Sequence, residues 1–374
     1  MRSLLPIPSS STFGGRVRLM ADPSDGAWNF TCPLPISKRA GERVLLSHGG
    51  GGRMTRHLLR DVFRKHFTSG ELARDHDGAY LEADSRRLAF TTDGFVIHPP
   101  FFPGGDIGSL AVHGTVNDLA ACGAIARWMS AAFILEEGFP LADLERIVAS
   151  MAQAAREAGV ELVTGDTKVV ERGKADGIFI ATSGVGLVIS ETPPDPRAAR
   201  PGDRVILSGP IGLHGMAVMS LREGLAFESE LKSDSAALGG LVARVYQAGV
   251  HPRCLRDPTR GGVAMALTEI AQSSGCGILL EEEAIPVPEL VKGACEILGL
   301  DPLLVANEGK MLLIVSPDDE PAALRAVRSD PLGREAVTIG RVQAEEPGCV
   351  LVHTALGSTF VLDIPAGEEL PRIC

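Results

Sequence analysis

Two α+β domains are the fold class predicted by this chain of 374 residues. Three observations predict it. Strand-like and helix-like runs follow one another in mixed order, without the strict alternation of a doubly wound sheet. One Pro-rich break, Glu191-Thr192-Pro193-Pro194-Asp195-Pro196, interrupts the patterned sequence near its middle, as a linker does. The length suits two substantial cores, and 45% hydrophobic with 22% charged residues is the balance of a globular protein.

The elements follow in order. Residues 1–42 are rich in Ser, Pro and Gly, lack periodicity, and read as a flexible extension. Patterning begins at Arg43-Val44-Leu45-Leu46. Arg87-Leu88-Ala89-Phe90-Thr91-Thr92 reads as a strand ending at Asp93, and 106–121 as a helix. Leu141, Leu144, Ile147, Val148, Met151 and Ala155 recur at helical spacing. Strands are expected at 160–164 and 178–188. After the break, Arg204-Val205-Ile206-Leu207-Ser208-Gly209 reads as a strand. Helices fit 212–224, 235–249, 262–274 and 288–298, and strands fit 278–283, 311–315 and 350–353. The expected domains are therefore 43–190 and 197–360, followed by a tail at 361–374.

That tail carries Ile364-Pro365-Ala366-Gly367-Glu368-Glu369-Leu370-Pro371, a poor helix and a poor strand, and then Cys374. Its twelve residues from 363 would span about 40 Å at roughly 3.3–3.6 Å each if extended. A frayed end is the common reading of such a segment. The sharper one is a thiol on a mobile arm, presented to an active site.

Composition narrows the function. Aromatic residues are only 5% and the net charge is −11, which disfavours nucleic-acid binding by stacking or bulk electrostatics. The seven cysteines (Cys32, Cys122, Cys254, Cys276, Cys295, Cys349 and Cys374) show no CxxC pairing, so reduced thiols in a cytoplasmic protein are expected. No stretch approaches the ~18 apolar residues of a membrane span, and the start of the chain lacks a signal-peptide core.

Five short segments carry chemistry. His48-Gly49-Gly50-Gly51-Gly52-Arg53 lets backbone N–H groups approach an anion, but lacks the Lys-Ser/Thr of a P-loop, so an ordinary loop is its simpler reading. Asp118 is the lone charge on an apolar helix, where it needs several donors or a cation. Thr164-Gly165-Asp166-Thr167-Lys168 follows an apolar strand, and a carboxylate and an ammonium after a Gly turn suit a metal and a phosphate. Arg256-Asp257-Pro258-Thr259-Arg260-Gly261-Gly262 leads into a helix, an anion or metal corner or simply a cap. Ala306-Asn307-Glu308-Gly309-Lys310 interrupts two apolar runs, so Glu308 and Lys310 are expected to be an internal ion pair or catalytic. Asp93 ends its own strand. No HxH, HExxH or GxSxG occurs, which disfavours a zinc site and a serine triad. Acidic residues in Gly-rich corners suit hard-cation chemistry on a nucleoside triphosphate.

In this order, HGGGGR, TTDGFV, FFPGGDIGSLAVHGTVNDLAACGA, EEGFPLADLERIV, VTGDTKVVERGKADG, LRDPTRGG, VANEGK and the closing LPRIC resemble the HypE family. These are carbamoyl dehydratases of hydrogenase maturation, in the aminoimidazole ribonucleotide synthetase-like (PurM-like) superfamily. The resemblance spans about 43–374. It implies two α+β domains, a homodimer formed through the N-terminal domains, and an ATP site between domains. It further implies that ATP phosphorylates the oxygen of a thiocarboxamide on Cys374, leaving a thiocyanate that supplies cyanide to the iron of nickel–iron hydrogenase. Mg²⁺ would be held by Asp93, Asp118, Asp166 and Asp257. Gly49, Gly50, Gly51, Gly52, Thr167 and Arg260 would bind ATP, with Lys168 stabilising the transferring phosphoryl group or orienting the amide and Glu308 taking the amide protons. A HypF-like carbamoyltransferase would load the thiol, and a HypC–HypD-like iron scaffold would unload it. A selenophosphate synthetase, a thiamine-monophosphate kinase or a purine-pathway synthetase would share the Asp and Gly corners without needing Cys374. A thiol-bearing scaffold would keep Cys374 but would not need Asp118, Asp166, Lys168 and Glu308 together.

Overall fold

The computed structural model describes residues 56–57, 60, 79–83, 86–225, 231–364, 370 and 372–374. Contacts divide the chain into Met1–Val44 and Leu45–Cys374, and every described residue belongs to the second unit. The 1–42 extension and the Gly49–Gly52 loop lie outside the described residues.

The first sheet has five strands: β1 (Ala79–Ala83), β2 (Arg86–Phe95), β3 (Ala124–Glu136), β4 (Glu161–Val170) and β5 (Ile178–Val188), ordered β1-β2-β5-β3-β4. Helices α1 (Ile107–Ala121) and α2 (Leu141–Ala158) belong to the same half of the chain. Asp106 starts α1 with a capping box. Its carboxylate accepts from the N–H groups of Gly108 and Ser109, and Ser109 Oγ accepts from the Asp106 N–H, satisfying donors that a helix start leaves open. Gly159 closes α2 in the left-handed conformation, as a glycine does most readily.

The second sheet has seven strands: β6 (Arg204–Leu207), β7 (Cys254–Arg256), β8 (Gly277–Glu281), β9 (Leu312–Val315), β10 (Val337–Gln343), β11 (Val350–His353) and β12 (Thr359–Val361), ordered β12-β11-β8-β10-β6-β9-β7. Its helices are α3 (Leu213–Arg222), α4 (Gly239–Gln247), α5 (Gly262–Ser274), α6 (Glu289–Leu298) and α7 (Glu320–Arg328).

Helix α1 is the element the two halves share. It packs on β2, β3 and β5 on one side and touches α2, α4 and β7 elsewhere. An ordinary surface helix has one apolar stripe, whereas α1 buries residues all round, from Ile107 to Ala121. A polar side chain on it is thus placed between two sheets.

Two expectations need correction. The 164–168 segment is not a turn after a strand; it lies in the middle of β4. A Cβ on Gly165 would sit 2.5 Å from the carbonyl oxygen of Ala131, so this glycine marks a close approach of two backbones. The helix expected from 235 begins at Gly239. Ser233, Ser235 and Ala236 are engaged by distant partners, which holds 231–238 in an irregular loop. The long strand β3 and the shorter β7, β10 and β12, together with α7, are elements the sequence reading did not assign.

Candidate functional site

Strand β2, helix α1, the corner after β7 and the 306–310 segment meet around one cavity of about 300 Å³. Asp93, Asp118, Asp257, Arg260, Glu308 and Cys374 all line it. Arg56, Arg256 and Glu269 line it as well and were missed from sequence. Glu269 lies 3.4 Å from Arg56 and pairs with Arg256, so one carboxylate on α5 steadies two guanidinium groups at the rim.

Local structure explains each placement. Asp118 accepts a 2.7 Å hydrogen bond from Thr91 Oγ1, which aims one carboxylate oxygen toward β2. Gly114, one turn earlier on α1, makes room for the Phe95 ring, which a Cβ there would meet at 3.0 Å, with Asp93 Oδ2 in ordinary contact at 3.5 Å. The buried Asn307 ties three segments together. It donates through Nδ2 to the Pro258 carbonyl at 3.0 Å and accepts the Gly212 N–H at 2.7 Å. Asp257 and Glu308 are thereby held on opposite ends of one hydrogen-bonded brace.

Glu308 is only 2% exposed, and its Oε1 has no hydrogen-bond partner among the described residues. Its main chain is fully engaged. The N–H donates to Asp234 Oδ1 at 3.2 Å, and the carbonyl accepts from Asn117 Nδ2 and the Ala236 N–H at 3.3 Å each. Burial raises the Glu308 carboxyl well above the usual range. The nearby charges of Asp257, Asp93 and Asp234 raise it further, while Arg260 opposes the shift. Asp93 is raised too, by burial, against the pull of Arg260 and the Gly94 N–H. The cavity thus holds more carboxylate than its cations balance.

Lys310 does not pair with Glu308. Its Nζ lies 3.0 Å from Asp234 Oδ2, with both side chains almost closed to solvent. Asp234 is the principal residue that sequence reading overlooked, because Lys232-Ser233-Asp234-Ser235 reads as an ordinary polar run. Between them, Gly309 has no room for a side chain: a Cβ would fall 1.8 Å from the Asp234 carbonyl oxygen.

Asp166 and Lys168 are not brought to this cavity. Asp166 stands opposite Ala132, and Lys168 opposite Ile134, whereas Asp93 shares its row with Thr182, Ala131 and Gly165. Adjacent residues of a strand point to opposite faces, so Asp166 and Lys168 face away from α1. Three strand spacings of roughly 4.8 Å put them about 14 Å from the Asp93 position. They are exposed and paired with each other, Lys168 Nζ donating to Asp166 Oδ1 at 2.8 Å. That bond, with the Thr167 N–H, holds the Asp166 carboxyl below its ordinary range. The expected four-Asp metal set is therefore not assembled, and no three His, Cys, Asp or Glu side chains among the described residues converge to hold a metal.

Cys374 is seated. The Val96 N–H donates to its carbonyl at 3.1 Å and the His98 N–H to the Arg372 carbonyl at 3.3 Å, so 372–374 runs antiparallel to the stretch after β2. Leu370 and Ile373 are buried in the core that also contains α1.

Two family models match: AIR synthase related protein, N-terminal domain, over residues 75–188, and AIR synthase related protein, C-terminal domain, over residues 200–353. The carbamoyl dehydratase HypE of Rhizobium leguminosarum bv. viciae is 53% identical over 336 residues, covering 90% of this chain and 96% of that protein. The chain belongs to the HypE family of carbamoyl dehydratases. Solved structures agree. HypE in a HypE–HypF complex superposes with a TM-score of 0.78 at 47% identity, over 82% of this chain and 99% of that one. HypE, described as a hydrogenase maturation protein, in complex with ATP superposes with a TM-score of 0.75 at 46% identity, over 89% and 100%. The fold is the two-domain α+β, PurM-like architecture of this family.

Proposed function

We propose that this enzyme uses MgATP to dehydrate a carboxamide carried on the Cys374 sulfur, leaving a thiocyanate as the cyanide source for hydrogenase iron. The observation that carries the reading is Cys374 in the wall of the cavity that holds Glu308. The balanced step is S–C(=O)NH₂ plus ATP giving S–C≡N, ADP and phosphate. The amide oxygen leaves on phosphorus, and the two amide protons leave with phosphate and through a base. Glu308 suits that base, being buried, raised in pKa and free at Oε1. The surplus of carboxylate in the cavity suits a cation that arrives already bound to phosphate oxygens, as magnesium does in MgATP. Asp93, Asp118 and Asp257 line the cavity and would face that cation from its wall, with Arg260 steadying a phosphate.

The relative solved with HypF supports a HypF-like carbamoyltransferase as the source of the carboxamide. A HypC–HypD-like iron scaffold in the cytoplasm would then take the cyanide. Mass spectrometry of the C-terminal peptide, after incubation with a carbamoyl donor system and MgATP, tests the chemistry. The carbamoylated peptide should lose the mass of one water, and Cys374→Ala should show neither modification. A carbamoylated tail whose mass ATP leaves unchanged would sink the dehydratase reading.

A homodimer fits the same site. Phe90, Trp128 and Ile134 are each roughly two-fifths exposed on the sheet face that also carries Asp166 and Lys168, and β4 is an edge strand exposed along nearly its whole length. Large apolar side chains on an uncovered sheet mark an interface. In such a dimer Lys168, which faces away from its own chain's cavity, would serve the partner copy. Mixing Lys168→Ala with Cys374→Ala protein checks this. Each variant alone should be inactive, and mixtures should regain a fraction of wild-type conversion; no recovery in a proven mixed dimer would argue for sites built within single chains.

A further inference from the structure

Every main-chain carbonyl of residues 372–374 is taken. Cys374 O accepts from the Val96 N–H at 3.1 Å. Arg372 O accepts from the His98 N–H and from Arg222 Nη2, while Arg222 Nε donates to the His98 carbonyl. Ile373 O lies 2.8 Å from His214 Nε2. Two of these donors, His214 and Arg222, are side chains of α3, an element that contributes nothing to the cavity wall.

The His214 ring can be assigned a tautomer. It is fully buried, with Nδ1 2.8 Å from Ser233 Oγ and its ring T-shaped against Phe102, centroids 5.4 Å apart. A carbonyl oxygen only accepts, so Nε2 carries the hydrogen and donates to Ile373 O. Ser233 Oγ accepts the Ser235 N–H at 3.0 Å, leaving its own hydrogen for Nδ1. Burial disfavours the charged ring, which keeps this pattern in place.

We infer that His214 and Arg222 form a catch that holds Cys374 at the cavity by reading the tail's backbone. Both side chains grip the tail by its main chain, at the Ile373 and Arg372 carbonyls, while the reacting sulfur is carried on a side chain. The two residues are positioning residues: they act on the reacting sulfur through the Arg372–Cys374 main chain. Arg372 contributes from the tail side, with Nε donating to the Val96 carbonyl at 2.9 Å and Nη1 paired with Asp176. The inference deepens the reading of Cys374 as the carrier thiol, but its test needs neither ATP nor a carbamoyl donor.

The test is the second-order rate of Cys374 alkylation by a polyethylene-glycol maleimide, followed by mass spectrometry on the reduced full-length chain. Cys349, half-buried just before β11, is the internal reference. Losing one such charged or buried donor should shift the docking equilibrium about tenfold, so Arg222→Ala should raise the Cys374 rate about tenfold with Cys349 unchanged. Arg222→Lys should fall between the two. His214→Phe keeps an aromatic ring and removes the donor, and should behave like Arg222→Ala. If His214→Phe fails to fold, Arg222→Ala decides, because that side chain is half-buried at the end of its helix. Wild-type Cys374 rates in folded Arg222→Ala, or equal acceleration of Cys349, would overturn the inference.

Discussion

Glu308→Gln should lower conversion of the Cys374 carboxamide about 10²–10⁴-fold, the usual contribution of a positioned base. The substitution keeps shape and hydrogen-bonding length while removing the group that accepts the proton. The measurement is a single-turnover time course on chain carbamoylated beforehand, read by mass at the tail peptide. Retention of a rate within about threefold of wild type would assign the base elsewhere. The pH profile adds a second readout. Burial and the neighbouring Asp257, Asp93 and Asp234 raise the Glu308 pKa, so the wild-type rate should climb as pH rises through that value and Glu308 ionises. The Gln variant should lack this limb. Stability moves the other way. A carboxyl whose folded pKa is raised binds its proton more tightly in the fold, so its contribution is fully present below the unfolded value of about 4.3 and is lost as pH rises through the folded one. Relative to wild type, the Gln variant should therefore gain stability with rising pH, as denaturant titrations at two pH values would show.

Lys310→Met should cost about 3–5 kcal/mol of stability, because it strands a buried charge. Lys310 and Asp234 face each other at 3.0 Å with side-chain exposures of 9% and 3%, leaving little water to solvate the survivor. Adding Asp234→Asn should recover part of the loss, since the pair then disappears as charges together. Urea unfolding of the two single variants and the double variant measures the coupling. A loss below about 1 kcal/mol for Lys310→Met would mean that the pair is solvated, contrary to its burial. The same substitution should move the rising limb of the activity profile to higher pH. An uncompensated Asp234 makes ionisation of Glu308 harder.

The sequence reading succeeded where information is local. Helix α1 follows from its apolar run and its Asp106 start, and β5 from Ile178 to Val188 was expected within those bounds. Asp93, Asp118 and Glu308 stood out because each interrupts or ends an apolar segment, Asp257 because it sits in a polar corner before a Gly-Gly helix start, and the fold gathers all four. It missed what depends on pairing. Asp166 and Lys168 look like a strand-end corner until the register with β3 places them on the far face of the sheet. A glycine such as Gly165 reads as a turn when the backbone that crowds it is more than thirty residues away. Asp234 was invisible because its two partners, Glu308 N–H and Lys310, lie some 75 residues downstream. The seat of Cys374 had the least signal of all. It is made largely by carbonyl groups, which every residue type has.

Gly309 has a further consequence for anyone wishing to change what the enzyme accepts. The cavity has one wall that yields and one that does not. On the Arg260 side the side chains reach solvent, so substitutions at Thr259 can be absorbed by water and by the freedom of their own rotamers. On the Glu308 side, the Asp234 carbonyl already occupies the place of the first carbon atom any replacement of Gly309 would add. Library design aimed at a larger or differently charged substrate belongs on the first wall. Diversity spent on the second would return mostly unfolded chains.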